Sequence, residues 1–263
     1  MHPQPLVDEA WLREHLEDPR VRIVDCRFFL GDARAGRRAY LEEHIAGATF
    51  VDLDTELADP PGAGGRHPLP DSETFGTAAR AAGISGDTTV VAYDQSMTGG
   101  AARLWWLLRH FGHVHAAVLE GGMAAWEGPT AAGDGRPPPG DFRPREPRED
   151  TRGAHELCAD LGGNDRLLLD ARAPERFLGA AEPVDPVAGR IPGALNLPAS
   201  EALTPPGELL TDDRELVAYC GSGVSACVVV LGFAAAGRDD VKLYPGSWSE
   251  WCGLGLPHTS GAP

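Results

Sequence analysis

Cys220 stands at the position in this sequence that is best suited to nucleophilic chemistry. It follows the apolar run 216–219 and opens a Gly-Ser-Gly-Val-Ser loop. Two glycines permit tight curvature, so successive backbone N–H groups can point inward and bind an anion. The start of a following helix adds partial positive charge, which favours a thiolate. We therefore predict a pocket for a sulfur anion, lined by Gly221, Ser222, Gly223, Val224 and Ser225.

The other cysteines have weaker settings. Cys26 lies at the end of a predicted strand, Cys158 in a helix that starts the second half, and Cys252 near the C-terminus. Cys227 follows the loop on a helix and is predicted to be core, the usual place for a free cysteine. No Cys-x-x-Cys pair is present, and scattered cysteines favour a reducing cytoplasm over a disulfide framework.

The elements that must position Cys220 occur twice along the chain. The first half carries Asp94 where the second half carries Cys220, so a thiol nucleophile is impossible there. We therefore predict a duplication with one inactive and one catalytic copy. The matched pairs are Asp25 with Asp170, HIAGA (44–48) with RIPGA (190–194), Asp94 with Cys220, and Trp126 with Trp251.

Each half has the pattern of an α/β domain. The runs 90–93 and 216–219 are short, apolar and bounded by polar residues, as buried parallel strands are. Each is followed by a glycine-containing turn and a helical stretch that ends at Gly112 or Gly237. Parallel strands joined by helices predict two small doubly wound domains, with ligands beyond the carboxyl ends of the strands.

The boundary between the domains is predicted from composition. The segment 133–150 is rich in proline and charge, with little to bury, which is typical of a linker. We therefore expect an inactive domain over 1–135, a linker over 136–149 and a catalytic domain over 150–263.

Composition excludes several functional classes. Lys and Arg number 23 against 39 Asp and Glu, and the formal charge of −16 disfavours nucleic acid and anionic lipid as partners. No apolar run approaches the roughly 20 residues that span a bilayer, and no export signal is seen, so we expect a cytoplasmic protein. His110, His113 and His115 lack the further ligands that zinc requires, so no metal is expected.

Taken together, these motifs resemble the tandem-domain rhodanese sulfurtransferases over nearly the whole chain. The resemblance rests on the inactive first repeat, the two matched turns, DARAPERF (170–177), the cysteine loop and PGSWSEW (245–251). It implies two rhodanese-like domains, each a small parallel sheet flanked by helices, and no cofactor. The Cys-Gly-Ser-Gly-Val loop is most similar to 3-mercaptopyruvate sulfurtransferases. Thiosulfate-preferring members tend to carry Cys-Arg-Lys-Gly-Val, and Gly221 and Ser222 replace those cations here.

The resemblance implies that sulfur passes from 3-mercaptopyruvate to Cys220 as a persulfide, with release of pyruvate. The acceptor would be cyanide or a thiol, such as thioredoxin or a low-molecular-weight thiol. Thiosulfate as donor, or a persulfide carrier without turnover, are the alternatives. A cysteine phosphatase would need an arginine at position 226, which is alanine.

The resemblance also implies donor-binding arginines. Arg176 matches the arginine that binds the donor carboxylate, and the alternative is a surface arginine paired with Glu175 or Glu182. A second donor arginine that mercaptopyruvate enzymes carry is missing at its usual spacing. Arg190, the nearest candidate, either replaces it or only caps its turn.

The last carried-over pair is an Asp–His pair contributed by the first domain. Its members would be Asp54 and His67, although the loop between them differs in length from that of the relatives. Histidine ordinarily titrates near neutral pH and so suits proton transfer. Arg66 next to it would add positive potential, and the alternative is a loop histidine without a role.

Overall fold

The computed structural model describes residues 4–262, and the chain forms two compact units. The first unit runs to Asp59 and resumes over Leu69–Arg148, whereas the second contains Pro60–Pro68 and the chain from Glu149 onward. A short segment of the first sequence repeat therefore packs with the second unit. Among the helices of the described chain, none is long and apolar enough to cross a membrane.

The first unit is built on a parallel sheet. Its strands are β1 (Leu6–Val7), β2 (Val21–Asp25), β4 (Thr49–Phe50), β5 (Thr89–Tyr93) and β6 (Ala116–Leu119), in the order β1-β6-β5-β2-β4. A separate antiparallel pair joins β3 (His44–Ile45) to β7 (Thr130–Ala131). The central strand β5 is buried along most of its length, as its continuous apolar run predicts.

Five helices accompany this sheet in the residues described: α1 (Glu9–Glu14), α2 (Ala35–Glu42), α3 (Ser72–Ala81), α4 (Gly100–His110) and α5 (Gly122–Ala125). Asp8 and Asp71 cap α1 and α3, because each carboxylate accepts a backbone N–H of the first turn. Helix α4 is almost wholly buried, in agreement with its apolar sequence.

The second unit repeats the architecture with a four-stranded sheet. Its parallel strands are β8 (Arg166–Asp170), β9 (Leu195–Asn196), β10 (Glu215–Tyr219) and β11 (Lys242–Leu243), in the order β11-β10-β8-β9. The helices are α6 (Ala154–Ala159), α7 (Pro174–Phe177), α8 (Gly207–Leu210), α9 (Ala226–Ala235) and α10 (Ser247–Gly253). The predicted fold class, two parallel sheets flanked by helices, is confirmed.

A buried polar triplet recurs in both units at the end of the equivalent strands. In the first unit Asp25 forms an ion pair of 2.7 Å with Arg27 and accepts the Tyr93 hydroxyl at 2.7 Å. The corresponding ion pair in the second unit measures 2.6 Å. Buried charges of this kind are tolerated because each is paired and hydrogen-bonded. The equivalent triplet of the second unit is Asp170, Arg172 and Tyr219.

The proline-rich segment is anchored to the first unit as far as Arg148. Phe142 is buried, and its amide donates to the carbonyl of Ile84 at 3.2 Å. Farther on, the amide of Arg145 donates to the carbonyl of Phe111 at 2.9 Å. The rest of the segment is exposed or half-buried, as its composition predicts, and Phe142 is the exception because its ring packs against Phe75 and His113.

Candidate functional site

Cys220 follows the last residue of β10, at the carboxyl end of the sheet. Only 2% of the residue is exposed. Its amide donates to the hydroxyl of Ser247 at 3.1 Å, and its carbonyl accepts the amide of Trp248 at 3.0 Å. The start of α10 therefore holds the backbone of Cys220 in place, and the side chain lies where ligands bind in such sheets.

The loop after Cys220 turns its backbone toward the sulfur. The amide of Gly223 donates to Cys220 Sγ at 3.1 Å, with Gly223 at a positive φ of 78°. A methyl group on Gly223 would overlap the carbonyl oxygen of Pro245, so only glycine fits. Within residues 4–262, the amides of Val224 and Ser225 have no hydrogen-bond partner. The loop can therefore donate further hydrogen bonds to an anion.

The equivalent loop of the first unit already holds an anion of its own. The carboxylate of Asp94 accepts four backbone amides at distances of 2.9–3.2 Å. This loop therefore shows directly that the strand–loop–helix arrangement binds negative charge through N–H groups. The four donors are Ser96, Thr98, Gly99 and Ala101.

Two guanidinium groups lie beside Gly221, the residue after the cysteine. A Cβ atom built on Gly221 would be 2.7 Å from Nη2 of Arg66 and 3.4 Å from Nη1 of Arg176. The backbone of Arg66 is fixed because its amide donates to Ser249 Oγ at 3.1 Å. Both arginines belong to the second unit, and the structure thereby brings two cations to the cysteine loop.

Two buried carboxylates orient these cations. Arg176 donates to Glu182 through Nε at 3.1 Å and through Nη2 at 2.7 Å. Asp185 bridges the two arginines, since it pairs with Nη1 of Arg66 and with Nη2 of Arg176 at 3.1 Å. The sequence suggested pairing of Arg176 with Glu182 as an alternative to donor binding. The structure shows this pairing, and it also places Arg176 at the cysteine loop.

The same contacts set the acidity of the carboxylates. Desolvation raises the pKa of Glu182, but the hydrogen bonds from Arg176 and from the amides of Asp185 and Val184 outweigh it and hold that pKa below its ordinary value. Burial raises the pKa of Asp185, and the guanidinium groups of Arg66 and Arg176 act in the opposite direction.

Comparison with known proteins identifies the family to which this chain belongs. The rhodanese-like domain profile matches twice, over residues 8–129 and 153–254. The chain belongs to the rhodanese-like family. A probable 3-mercaptopyruvate sulfurtransferase of Pseudomonas aeruginosa is 42% identical over 95% of this chain and 96% of the relative. A putative thiosulfate sulfurtransferase, SseB, of Mycobacterium tuberculosis is 41% identical over 89% of this chain and 88% of the relative.

A solved structure agrees with these relatives. The crystal structure of SseA of Escherichia coli, a 3-mercaptopyruvate sulfurtransferase, superimposes with a TM-score of 0.79 and 32% identity, covering 94% of this chain and 100% of the other. The predicted membership of the tandem rhodanese sulfurtransferases is therefore confirmed, and the chain is an enzyme of the sulfurtransferase class.

His67 of this rhodanese-like enzyme reaches the cysteine loop. It is buried, and its Nδ1 lies 2.7 Å from Ser222 Oγ. His67 belongs to the second unit, although the sequence repeat places it in the first. Asp54 belongs to the first unit, where its amide donates to Asp52 Oδ1 at 3.0 Å. The pairing of Asp54 with His67 stays a prediction.

Arg190 is engaged with the backbone near the C-terminus. Its Nη1 donates to the carbonyl of Gly261 at 2.7 Å and to that of Phe177 at 3.4 Å. Its own amide and carbonyl pair with Thr259. These contacts are those of the turn-capping alternative, because they hold the C-terminal segment against the RIPGA turn. We therefore leave Arg190 out of the proposed donor site.

The sequence did not lead us to two residues that support the site, Ser247 and Asp185. Ser247 adopts a positive φ of 52° and is fully buried, with its hydroxyl accepting the amide of Cys220 and donating to the carbonyl of Tyr244. Strain of this kind persists where surrounding contacts impose it, often near active sites. Asp185 was missed as well. The sequence feature that could have identified Asp185 is its position among prolines a few residues after Arg176.

Proposed function

We propose that this chain transfers sulfur from 3-mercaptopyruvate to a thiol or to cyanide through a persulfide on Cys220. The observation that carries the proposal is the cradle around Cys220, where the Gly223 amide already donates to Sγ at 3.1 Å. Preorganised N–H donors stabilise a thiolate before the reaction and a persulfide after it.

The reaction proceeds in two halves. The Cys220 thiolate attacks the sulfur of 3-mercaptopyruvate and forms an S–S bond, while the C–S bond breaks and its electron pair passes to the carbon. Pyruvate leaves as its enolate and takes a proton. An acceptor thiolate, from a low-molecular-weight thiol or a thioredoxin-like protein, or cyanide then attacks the outer sulfur and regenerates the Cys220 thiolate. This covalent scheme predicts ping-pong kinetics.

The neighbouring side chains fit defined roles in this scheme. Arg176 binds the donor carboxylate through Nη1, because its Nε and Nη2 already donate to Glu182 and Asp185 and a charged hydrogen bond to a carboxylate is strong. Ser222 and His67, whose side chains are 2.7 Å apart, form a route for the proton that the enolate takes.

Thiosulfate is the second candidate donor. The Mycobacterium tuberculosis relative is named a putative thiosulfate sulfurtransferase, and the guanidinium of Arg66 at Gly221 suits a dianion. The absence of cations at positions 221 and 222 of the loop itself favours the keto-acid, whose carboxylate lies farther from the transferred sulfur.

The experiment is a steady-state comparison of wild type, Cys220→Ser and Cys227→Ser with cyanide as acceptor. We expect Cys220→Ser to form no thiocyanate from either donor. Cys227 is buried on α9 and bonds the Gly223 carbonyl at 3.4 Å, so its serine variant is a matched control that keeps the nucleophile. Activity retained in Cys220→Ser would overturn the proposal. A kcat/KM for thiosulfate more than about tenfold above that for 3-mercaptopyruvate, or roughly 1.4 kcal/mol, would overturn the choice of donor.

A further inference from the structure

The two guanidinium groups beside the cysteine loop share one buried carboxylate, that of Asp185. Its Oδ1 pairs with Nη1 of Arg66, and its Oδ2 accepts a hydrogen bond from Nη2 of Arg176 at 3.1 Å. The side chain of Asp185 is only 3% exposed, so solvent and salt screen its charge poorly. In the proposed reaction the cations bind the donor, whereas this buried anion has no role.

The charged side chains around this carboxylate balance one another. Glu182 accepts hydrogen bonds from Nε and Nη2 of Arg176 at 3.1 and 2.7 Å and from Nη1 of Arg172 at 3.3 Å. Arg172 in turn forms an ion pair of 2.6 Å with Asp170. The nearby Cys252 thiol adds no charge at neutral pH, because burial raises its pKa to about 12. The formal charges of three arginines and three carboxylates thus cancel. These residues are Arg66, Arg172, Arg176, Asp170, Glu182 and Asp185.

An incoming donor therefore meets directed N–H groups and no net positive charge. Nη1 of Arg176 lies 3.4 Å from the position that a Cβ atom on Gly221 would occupy, and the amide of Gly223 donates to the sulfur. Such contacts suit a donor with one anionic group, because each hydrogen bond stabilises a charge locally. A dianion loses more hydration free energy on entering a buried site, and net positive charge is needed to offset that loss.

The contacts of Asp185 differ from those of its neighbour Glu182. The carboxylate of Glu182 also accepts the backbone amides of Val184 and Asp185, each at 3.1 Å, so it supports the fold of its own loop. In the part of the chain that the structure describes, the carboxylate of Asp185 accepts hydrogen bonds from the two guanidinium groups alone. Its charge therefore acts on the cations of the donor site and on little else.

We propose that Asp185 is a specificity-determining residue, whose buried negative charge disfavours dianionic sulfur donors such as thiosulfate relative to monoanionic donors such as 3-mercaptopyruvate. The inference rests on the proposed function and names the residue that sets its donor preference. Specificity of this kind depends on a repulsive element as well as on attractive contacts. The positive charge of Arg66 by itself suits a dianion, and Asp185 opposes it.

The charge difference between the two donors gives the expected effect. Coulomb energy is proportional to each charge, so removal of one negative charge stabilises a bound dianion by twice as much as a bound monoanion. At an effective dielectric constant of about 20, a unit charge roughly 8 Å away changes the binding of a monoanion by a factor on the order of 10 or more. Loss of the Asp185 contacts also loosens both arginines, which lowers kcat/KM for the two donors together and cancels in their ratio.

The kinetic test measures kcat/KM for thiosulfate and for 3-mercaptopyruvate in wild type, Asp185→Asn, Asp185→Glu and Asp240→Asn. In a ping-pong reaction this parameter reports the donor half-reaction alone, so cyanide serves as acceptor for both donors. We expect Asp185→Asn to raise the thiosulfate-to-3-mercaptopyruvate ratio by about five- to tenfold. Asp185→Glu keeps the charge and should leave the ratio unchanged. Asp240→Asn is the matched control for net charge, since Asp240 also pairs with an arginine, Arg238, but its side chain is 69% exposed.

The outcomes separate the two proposals. If wild type forms no thiocyanate from either donor, the proposed function fails. If wild type is active and the ratio in Asp185→Asn stays within about twofold of it, the role of Asp185 fails while the function stands. An equal rise of the ratio in Asp185→Glu or in Asp240→Asn would also contradict the proposal, because the first variant keeps the local charge and the second changes only the net charge.

A second measurement needs no sulfur transfer. Alkylation of Cys220 is followed by peptide mass spectrometry with iodoacetate, an anion, and with iodoacetamide, its neutral counterpart. Removal of a negative charge near the loop favours the anionic reagent, so we expect Asp185→Asn to raise the iodoacetate-to-iodoacetamide rate ratio at Cys220 by at least about threefold. Asp185→Glu should leave this ratio unchanged, and an altered loop structure alone would change both rates alike. An unchanged or lower ratio in Asp185→Asn would overturn the proposal.

Discussion

Gly65 is expected to control whether Arg66 and His67 stay at the cysteine loop. It lies in the tight turn in which Gly62 and Gly65 exchange backbone hydrogen bonds of 3.0 Å. Its φ is +97°, and a methyl group on it would lie 2.6 Å from Ser249 Oγ and 2.8 Å from the carbonyl oxygen of Gly246. The change Gly65→Ala therefore strains the turn where it meets α10.

The magnitude follows from two contributions. A left-handed conformation costs a residue with a Cβ about 1–2 kcal/mol. Overpacking against a fixed neighbour typically costs a further 1–3 kcal/mol or so. Both costs disappear when the turn detaches from α10. Gly65→Ala is therefore expected to weaken packing of the turn against α10 and to leave the hydrophobic cores of the two units intact. Even about 2 kcal/mol shifts the balance between docked and released turn by roughly 30-fold.

The assay is kcat/KM for 3-mercaptopyruvate, measured beside the unfolding midpoint. We expect Gly65→Ala to lower kcat/KM by at least about tenfold with little change in the midpoint. Gly64→Ala is the matched control, because its methyl group would make ordinary contact with Pro68 at 3.5 Å. An activity of Gly65→Ala within threefold of wild type would refute the reasoning, and so would an equal loss in Gly64→Ala.

Further variants test the cradle and its supports. Replacing Asp94 with alanine removes the acceptor of four amides, so we expect a loss of about 2–3 kcal/mol in denaturant unfolding, and a loss below about 0.5 kcal/mol would contradict this. The change Gly223→Ala would drive a methyl group into the Pro245 carbonyl and turn the donor away from Sγ, so thiocyanate formation should fall at least tenfold; normal turnover would count against the cradle. Because Glu182 has a lowered pKa, its stabilising contribution is complete above its unfolded pKa of about 4.3 and is lost as pH falls through the folded value. The stability gap between wild type and Glu182→Gln should therefore be larger at pH 7 than at pH 3, and a gap independent of pH would contradict the assignment.

The elements that position Cys220 were predictable because they depend on local patterns. A continuous apolar run before the cysteine indicates a buried parallel strand, and the glycines after it permit a turn toward the sulfur. The internal repeat then identified Asp94 as the equivalent residue, and the structure places both at the carboxyl end of a central strand. These features need only a short stretch of chain to be interpreted.

The pairing of Arg66 with Asp185 could not be predicted in the same way. The two residues are 119 positions apart, and their contact depends on Pro60–Pro68 packing with the second unit. Nothing in the local sequence states which unit a nine-residue loop will join. Apart from its tight turn at Gly62 and Gly65, this loop has no regular structure, and its position depends on the tertiary contacts of Arg66 with Asp185 and Ser249. For Arg190 the side-chain type was misleading. Its positive charge suggested that it binds an anionic donor, whereas the structure shows that it donates to the backbone carbonyls of Phe177 and Gly261.

The two loops differ in how much of their anion-binding capacity the chain itself uses. In the first unit the Asp94 carboxylate accepts four amides, so those donors are used within the chain. In the second unit, among the residues described, the sulfur of Cys220 accepts the amide of Gly223, while those of Val224 and Ser225 have no partner. The shorter side chain of Cys220 thus leaves backbone N–H donors for the persulfide that we propose forms on its sulfur. Under the proposed function, this difference between Asp94 and Cys220 explains why chemistry is expected in the second copy, where amides next to the sulfur have no partner among the residues described.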